Sequence, residues 1–210
     1  ITQNPGNVRQ GYNTLYQFGR KDAFPGTDTT PDGSFNKNGG MSLQNGIQHP
    51  ETFYIWGLSW YNSYNQYNLW SMDNTTTGNN DNSVVKTIYD PCPAGFHMPA
   101  SNAFTGFTAN GSGGGTMNVD GTDNWQTFRN NFGHNFWTNS SKTATIYFPA
   151  SGLRYYYGGS LSDVGSSSYC WSAVPYNAGN GCYLNAGPWD VYPQNYESRP
   201  YGFSVRPVSE

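Results

Sequence analysis

Charged side chains are scarce in this chain. Asp, Glu, Lys and Arg make up 11% of its 210 residues, against about 25% in an average soluble protein. The 10 basic residues are scattered, and 13 acidic residues outnumber them. Because nucleic-acid binding needs clustered Lys and Arg to displace counterions from phosphates, this composition argues against nucleic acid as a partner.

Long apolar runs are also missing. None of the apolar stretches approaches the roughly 18 residues that a membrane-spanning helix needs, and no basic amphipathic helix indicates a membrane-surface role. We therefore expect no membrane insertion by this segment. The chain begins at Ile1, without Met or the apolar core of a signal peptide, so we expect a mature product or a segment of a longer protein.

Cysteine is too sparse for a dense disulfide framework, and its spacing does not fit a zinc site. Cys170 and Cys182 flank a predicted hairpin turn near residues 176–177. Two interpretations stay open for this pair: a disulfide across the hairpin, or two separate buried thiols. Cys92 is expected to be a packed free thiol.

Aromatic rings and neutral polar groups take the place of charges. Aromatic residues make up 17% of the chain, and glycine, with 26 residues, is abundant. Such a composition is typical of secreted β proteins and of carbohydrate binders, because sugars are bound by flat rings and by groups that both donate and accept hydrogen bonds. A loop-rich exported protein without sugar specificity would have the same composition.

Local patterns predict an α+β fold, with short helices packed on a twisted, loop-rich antiparallel sheet. The length fits a single domain, 1–210. The ring-dense segment of Trp56, Trp60, Tyr61, Tyr64, Tyr67 and Trp70 is expected to be core. Helices are predicted at 42–53, from an N-cap at Ser101, and at 125–132. Strands are predicted near 12–18 and at 84–89, 144–150, 152–157, 168–174, 181–185 and 202–208.

No catalytic group can be assigned from order and spacing. Asp120 and Asp123 lie in a Gly-rich stretch, where aspartate is more often a turn former than a general acid or base. Arg154, Arg199 and Arg206 are expected to donate to loop carbonyls or to Asp163 and Glu197. We therefore predict that the chain is not an enzyme and holds no metal.

Several strings in order along the chain resemble one family. They are YQFGRKDAFPG at 16–26, HPETFY at 49–54, TIYDPCPAGFHMP at 87–99, FPASGLR at 148–154 and SRPYGFSVRPV at 198–208. In the third string, Asp90 is expected to accept hydrogen bonds from the turn that follows it, and Gly95 to adopt a backbone angle closed to other residues. Together the strings resemble fimbrillin-like surface proteins of Bacteroidetes that carry the Fibrobacter-type major paralogous domain.

This resemblance implies a C-type-lectin-like fold, related to that of formylglycine-generating enzymes, as the C-terminal domain of a longer exported protein. It implies a non-catalytic adhesin at the outer-membrane surface or a fimbrial tip that binds a glycan or host surface protein, with pilin subunits as further partners. The alternative is a structural fimbrial subunit or anchor domain that binds a neighbouring pilin. A third hypothesis is an enzyme related to formylglycine-generating enzymes, although the context of Cys170 and Cys182 does not match a copper site.

The lectin relatives raise calcium as a cofactor, but the Glu-Pro-Asn triplet typical of such sites is absent, and we otherwise expect no cofactor. The candidate ligand-binding residues lie in predicted loops near the C-terminal end. A ring there could stack on a sugar while a neighbouring amide or carboxylate bonds its hydroxyls; the alternative is that Trp189 belongs to the core. The candidates are Tyr176, Asn185, Trp189, Asp190, Tyr192 and Asn195.

Overall fold

The computed structural model describes residues 13–26, 40–57, 59–60, 69–76, 78–121 and 124–210. Strands dominate, and the helices are short, which confirms the α+β class. The helices are α1 (Leu43–Gln48), a 3-10 helix (Ser101–Phe107) and α2 (Asn124–Asn131). The strands are β1 (Thr14–Gln17), β2 (Phe24–Pro25), β3 (Phe96–His97), β4 (Gly133–Trp137), β5 (Thr145–Pro149), β6 (Leu153–Arg154), β7 (Leu161–Ser162), β8 (Ser168–Pro175), β9 (Asn180–Ala186), β10 (Val191–Ser198), β11 (Gly202–Val205) and β12 (Val208–Ser209).

The main sheet has the strand order β10-β9-β8-β11-β1-β2, and β6 and β7 extend it from β11. Strands β8, β9 and β10 form an antiparallel meander. Strand β11 returns to pair with β8 in parallel and with β1 antiparallel. Two smaller ladders, β4 with β5 and β3 with β12, complete the described strands.

The main sheet carries a core on each face. Side chains alternate along a strand, so Trp171 and Tyr183 meet on one face while Cys170 and Leu184 meet on the other. The first core gathers Phe18, Trp70, Met98, Trp171 and Phe203. The second gathers Phe104, Phe107, Phe136, Phe148 and Leu184 under the 3-10 helix and the β4–β5 ladder.

The Asp-Pro-Cys-Pro turn forms as its sequence predicts. The Asp90 carboxylate accepts hydrogen bonds from the backbone N–H groups of Cys92, at 2.7 Å, and Met98, at 3.0 Å. Gly95 has a φ of 79°, a left-handed angle that favours glycine. These contacts fix the chain between the first core and β3.

The strand predicted at 84–89 does not form. Residue 86 makes only an isolated bridge to Ser71, because side-chain hydroxyls take the backbone N–H groups that a ladder would need. Ser71 Oγ accepts from Val85 N at 3.1 Å, and Thr87 Oγ1 accepts from Tyr89 N at 3.1 Å.

Two helix predictions need correction. Helix α1 is shorter than predicted and follows Ser42, whose hydroxyl accepts from Asn45 N. Ser101 is the first residue of the 3-10 helix and does not cap it; its hydroxyl donates to Asn80 O at 2.8 Å. Because side chains three apart eclipse in a 3-10 helix, Phe104 and Phe107 both reach the second core.

Cys170 and Cys182 are separate buried thiols, and Cys92 is a third. The register of the β8–β9 pair places Leu184, not Cys182, opposite Cys170. The register therefore excludes a cross-strand disulfide, which was the first of the two interpretations of this cysteine pair.

Arginine positions agree with the predictions in two cases of three. Arg154 donates to the carbonyl oxygens of Pro25 and Gly159, and Arg199 donates to that of Asn177. Arg206 departs from the prediction, because its guanidinium lies over the Phe148 ring, 5.2 Å from the centroid.

The ring-dense segment is only partly described. Trp60 and Trp70 are buried, as predicted, and Trp56 is half-buried. Tyr61, Tyr64 and Tyr67 lie outside the described residues, as do Tyr12 of the first predicted strand and Asp123.

Candidate functional site

Trp189 occupies the tight turn between β9 and β10. The turn closes when Gly187 N donates to Asp190 O at 2.9 Å. A second contact also fixes the turn: the buried His134 ring makes a 2.8 Å hydrogen bond through Nε2 to Gly187 O. The turn is therefore a fixed support for the Trp189 ring.

The Trp189 side chain is 72% exposed. This exposure excludes the interpretation of Trp189 as a core residue. Its ring stacks on that of Trp125 from α2, with centroids 5.5 Å apart and planes 23° apart. The Arg129 guanidinium lies 4.7 Å from the centroid of the Trp125 ring. Stacking on a supported ring limits the rotamers of Trp189 and presents a flat indole to solvent.

Asp190 follows Trp189 in the same turn and is half-buried. In the part of the chain that the structure describes, no hydrogen bond or ion pair engages its carboxylate. Its oxygens can therefore accept hydrogen bonds from a ligand that lies on the neighbouring indole. A flat ring with an adjacent free acceptor can stack on the apolar face of a ligand and accept hydrogen bonds from its hydroxyls.

Asn185, Tyr192 and Asn195 lie in strands β9 and β10, which corrects their placement in loops. In sequence, Pro193 and the polar residues of 192–196 resemble a loop. They form strand β10 because their backbone pairs with the free edge of β9. A register shift between Tyr192 and Asn195 absorbs the proline, as expected for a β-bulge on an edge strand.

Asn185 pairs with Tyr192 next to the Trp189 turn, whereas Asn195 is fully engaged within the protein. Asn195 Nδ2 donates to the Tyr183 hydroxyl at 3.2 Å, and its Oδ1 accepts from Tyr196 N at 2.9 Å. Burial raises the pKa of Tyr183 to about 12, against a hydrogen bond from Asn185 that lowers it. Asn185 and Asn195 thus orient a neutral Tyr183 hydroxyl.

Tyr176 lies at the opposite end of the hairpin from Trp189. It follows β8, and its N–H donates to Asn180 O at the start of β9. Strand β9 has 7 residues, so the two turns are about 20 Å apart at roughly 3.3 Å per residue. Tyr176 instead stacks on Tyr196, with centroids 3.8 Å apart. It cannot share one monosaccharide with Trp189.

A second group of exposed rings surrounds the turn after β6. Tyr155 and Tyr157 are exposed there. Tyr156 packs on Tyr201, with centroids 4.4 Å apart. Arg154 anchors the turn by donating to one of its carbonyl oxygens at 2.5 Å. This surface adds flat rings and phenol hydroxyls on a different part of the sheet.

The buried His134 ring makes the support of the Trp189 turn sensitive to acid. The ring contacts Phe128 and Phe136, and burial lowers its pKa below the ordinary value, against the hydrogen bond to Gly187, which raises it. The unfolded chain therefore binds a proton more readily than the folded one. We expect the free energy of unfolding to be highest above about pH 6.5 and to fall as the pH drops from there to the lowered pKa, by at most about 1.4 kcal/mol per pH unit.

Urea titrations from pH 4 to 8 measure this slope. His134→Gln should flatten it in that window, while His49→Gln, a change at a surface histidine, should leave it in place. An unchanged slope in His134→Gln would contradict the assignment.

No group of three or more His, Cys, Asp or Glu side chains among the described residues could hold a metal ion. None of the helices in the described ranges has the length and apolar character needed to cross a bilayer.

Comparison with known proteins gives one match. A family model described as a domain of unknown function, DUF8237, matches residues 117–208. This stretch is less than half of the chain, yet it contains Trp125, His134, the Trp189 turn and the β8–β9–β10 meander. Searches of curated proteins and of solved structures found no match. The chain is therefore similar to the DUF8237 domain over its C-terminal part.

Proposed function

We propose that this chain is a non-catalytic binding module of a bacterial cell surface or fimbrial tip, and that it binds a glycan through the Trp189 turn. The observation that carries the proposal is the exposed Trp189 indole on a turn held by hydrogen bonds and backed by Trp125. A tryptophan exposes apolar area at a cost in hydration, so a fixed, flat, exposed indole favours a stacking partner.

The groups beside the indole fit a sugar better than a charged ligand. The Asp190 carboxylate accepts hydrogen bonds from hydroxyls. Asn185 pairs with Tyr192 next to the turn, but its amide bonds the Tyr183 hydroxyl. The same sparse charge that disfavours nucleic acid leaves hydroxyls and amides as the main polar groups of the chain.

The fold and location belong to the same proposal. The motif strings resemble fimbrillin-like proteins with the Fibrobacter-type major paralogous domain, and a sheet flanked by short helices and long loops is compatible with a C-type-lectin-like fold. In such a module the sheet supports the loops, and the loops bind the ligand. Calcium is not part of the proposed site, and only its presence or absence is varied in the test.

A glycan array screened with calcium, and again with chelator, tests the proposal. We expect binding to a related set of glycans. Trp189→Ala should weaken binding to the best of them by at least about 2 kcal/mol, or roughly thirtyfold, because it removes the stacking surface. Isothermal titration with the purified glycan measures this loss.

Tyr196→Ala is the matched control. It removes another exposed ring, at the end of the hairpin away from Trp189. Binding should stay within about twofold of wild type in this variant. If Trp189→Ala bound the same glycan as tightly as wild type while its circular dichroism stayed native, the site would be wrong.

One observation favours the alternative of a structural fimbrial subunit. Met72 is 75% exposed and Ile88 is 78% exposed. Met72 N donates to Val85 O, so Met72 lies beside Val85, whose apolar side chain is also exposed. Exposed apolar clusters of this kind mark protein interfaces. A glycan array without reproducible binding, together with loss of fibre assembly in Ile88→Asp, would favour this alternative.

A further inference from the structure

A cavity of about 370 Å³ lies between the start of β1, the end of β5 and the end of β11. Small-molecule sites range over about 300–1,000 Å³, so this cavity is large enough for one monosaccharide. Its lining combines apolar and hydroxyl groups. The lining residues include Thr14, Tyr16, Phe148, Ser168, Ser204 and Arg206.

Arg206 gives the cavity a positive charge. No Asp or Glu is among the described residues that line it. Burial raises the pKa of the Cys170 thiol to about 12 and raises the pKa of Tyr16, so both groups are neutral at pH 7. A cavity with one cation and no anion favours a negatively charged ligand.

The Arg206 guanidinium is held in place but keeps its donors. It lies 5.2 Å from the centroid of the Phe148 ring, in a cation–π contact that uses the face of the group. Within the described ranges, no carboxylate or carbonyl oxygen accepts a hydrogen bond from its side chain. The planar fork of N–H donors is therefore available, and its geometry matches a carboxylate.

The serine hydroxyls favour a ligand with hydroxyls of its own. Ser168 donates to Pro149 O at 2.5 Å, Ser204 donates to Tyr169 O, and Ser151 donates to Ser204 Oγ at 3.3 Å. A hydroxyl has one proton and two lone pairs. The protons are used within the protein, so the serine oxygens accept hydrogen bonds from a ligand.

We propose that this cavity binds a sugar acid of hexuronate size, with its carboxylate on Arg206 and its hydroxyls on Ser168 and Ser204. The cavity and the Trp189 turn have no residue in common, so this proposal stands independently of the glycan site proposed above. The shared chemistry of the ligand is a carboxylate, which could come from a sugar acid or from another small acid.

Isothermal titration of the whole chain at pH 7 and low ionic strength tests the cavity with sodium D-glucuronate, D-glucose and sodium benzoate. We expect glucuronate to bind and glucose to bind at least tenfold more weakly, because only glucuronate pairs with the cation. Arg206→Gln should weaken glucuronate binding at least about tenfold. Lys142→Gln removes the same charge at an exposed position outside the cavity and should change it less than twofold.

A second variant tests the position without changing charge. Thr14 is exposed at the start of β1 and lines the cavity, so Thr14→Phe should fill part of the space and weaken glucuronate binding while the melting temperature stays near that of wild type.

Tighter binding of benzoate than of glucuronate would overturn the sugar acid as ligand. Equal binding of glucose and glucuronate, no binding of either acid, or wild-type binding in both variants would overturn the proposal as a whole. Trp189→Ala should leave glucuronate binding intact, so the two sites can fail separately.

Discussion

Replacing Trp171 with alanine is expected to lower the free energy of unfolding by about 3–5 kcal/mol, the range seen when a large buried aromatic side chain is removed. Trp171 is fully buried in the middle of β8. Its ring contacts those of Phe18, Tyr183 and Phe203, and its Nε1 donates to Tyr16 O at 2.9 Å. The variant leaves a cavity and removes the indole donor to Tyr16 O at the point where β1, β8 and β11 meet.

Urea denaturation followed by tryptophan-independent circular dichroism measures the loss. Trp189→Ala is the matched control, because it removes the same side chain from a turn where most of the ring is in solvent; we expect a change below about 1 kcal/mol. If the two variants lost a similar free energy of unfolding, the Trp189 ring would be part of the folded core and not an exposed surface available to a ligand.

These two tryptophans also show what the sequence could and could not predict. Trp171 lies in a largely apolar run at 168–174 that is bounded by turn residues, as is typical of a strand buried on both faces, so its strand could be predicted from local pattern. The Gly-Pro-Trp-Asp turn is also visible in the sequence. Whether Trp189 points into the core or out to solvent is not, because that depends on Trp125, which lies 64 positions earlier in the chain.

Strand β10 was missed and the strand at 84–89 was wrongly predicted, for opposite physical reasons. Strand β10 contains Pro193 and several amides, which are poor strand formers on propensity alone. It is ordered by pairing with β9 and by the 3-10 helix packed beside it, as in the contact between Gln194 and Asn102. The strand predicted at 84–89 failed for the opposite reason: its apolar residues had the right pattern, but Ser71 and Thr87 hydroxyls took the backbone donors.

Arg206 illustrates the same limit for a binding group. The sequence shows an arginine followed by a proline at 206–207, and a structural donor is the default expectation for it. Only the fold shows that Phe148 faces the guanidinium and that three serines from separate segments surround the same cavity. Sites assembled from distant segments leave no spacing that could be found in the linear chain.

The Asp-Pro-Cys-Pro turn is the feature that the sequence predicts best, and it carries the second large effect. Asp90→Ala is expected to lower the free energy of unfolding by about 3 kcal/mol. The variant removes the acceptor of two buried N–H groups, from Cys92 and Met98, and each unsatisfied donor costs about 1–3 kcal/mol. The ion pair with Lys86, whose ammonium is partly exposed, adds little.

Chemical denaturation of Asp90→Ala, Asp90→Asn and Asp81→Ala separates the causes. Asparagine keeps one acceptor oxygen, so Asp90→Asn should lose roughly half as much stability as Asp90→Ala, because only one of the two N–H groups is left without an acceptor. Asp81 is exposed, and its replacement should change the free energy of unfolding by less than about 0.5 kcal/mol. Met98 is fully buried in the first core, so loss of its backbone anchor should also speed amide hydrogen exchange in β3, which follows the turn directly. A small effect of Asp90→Ala, with unchanged exchange in β3, would mean that the prolines alone hold the turn and that the carboxylate is dispensable.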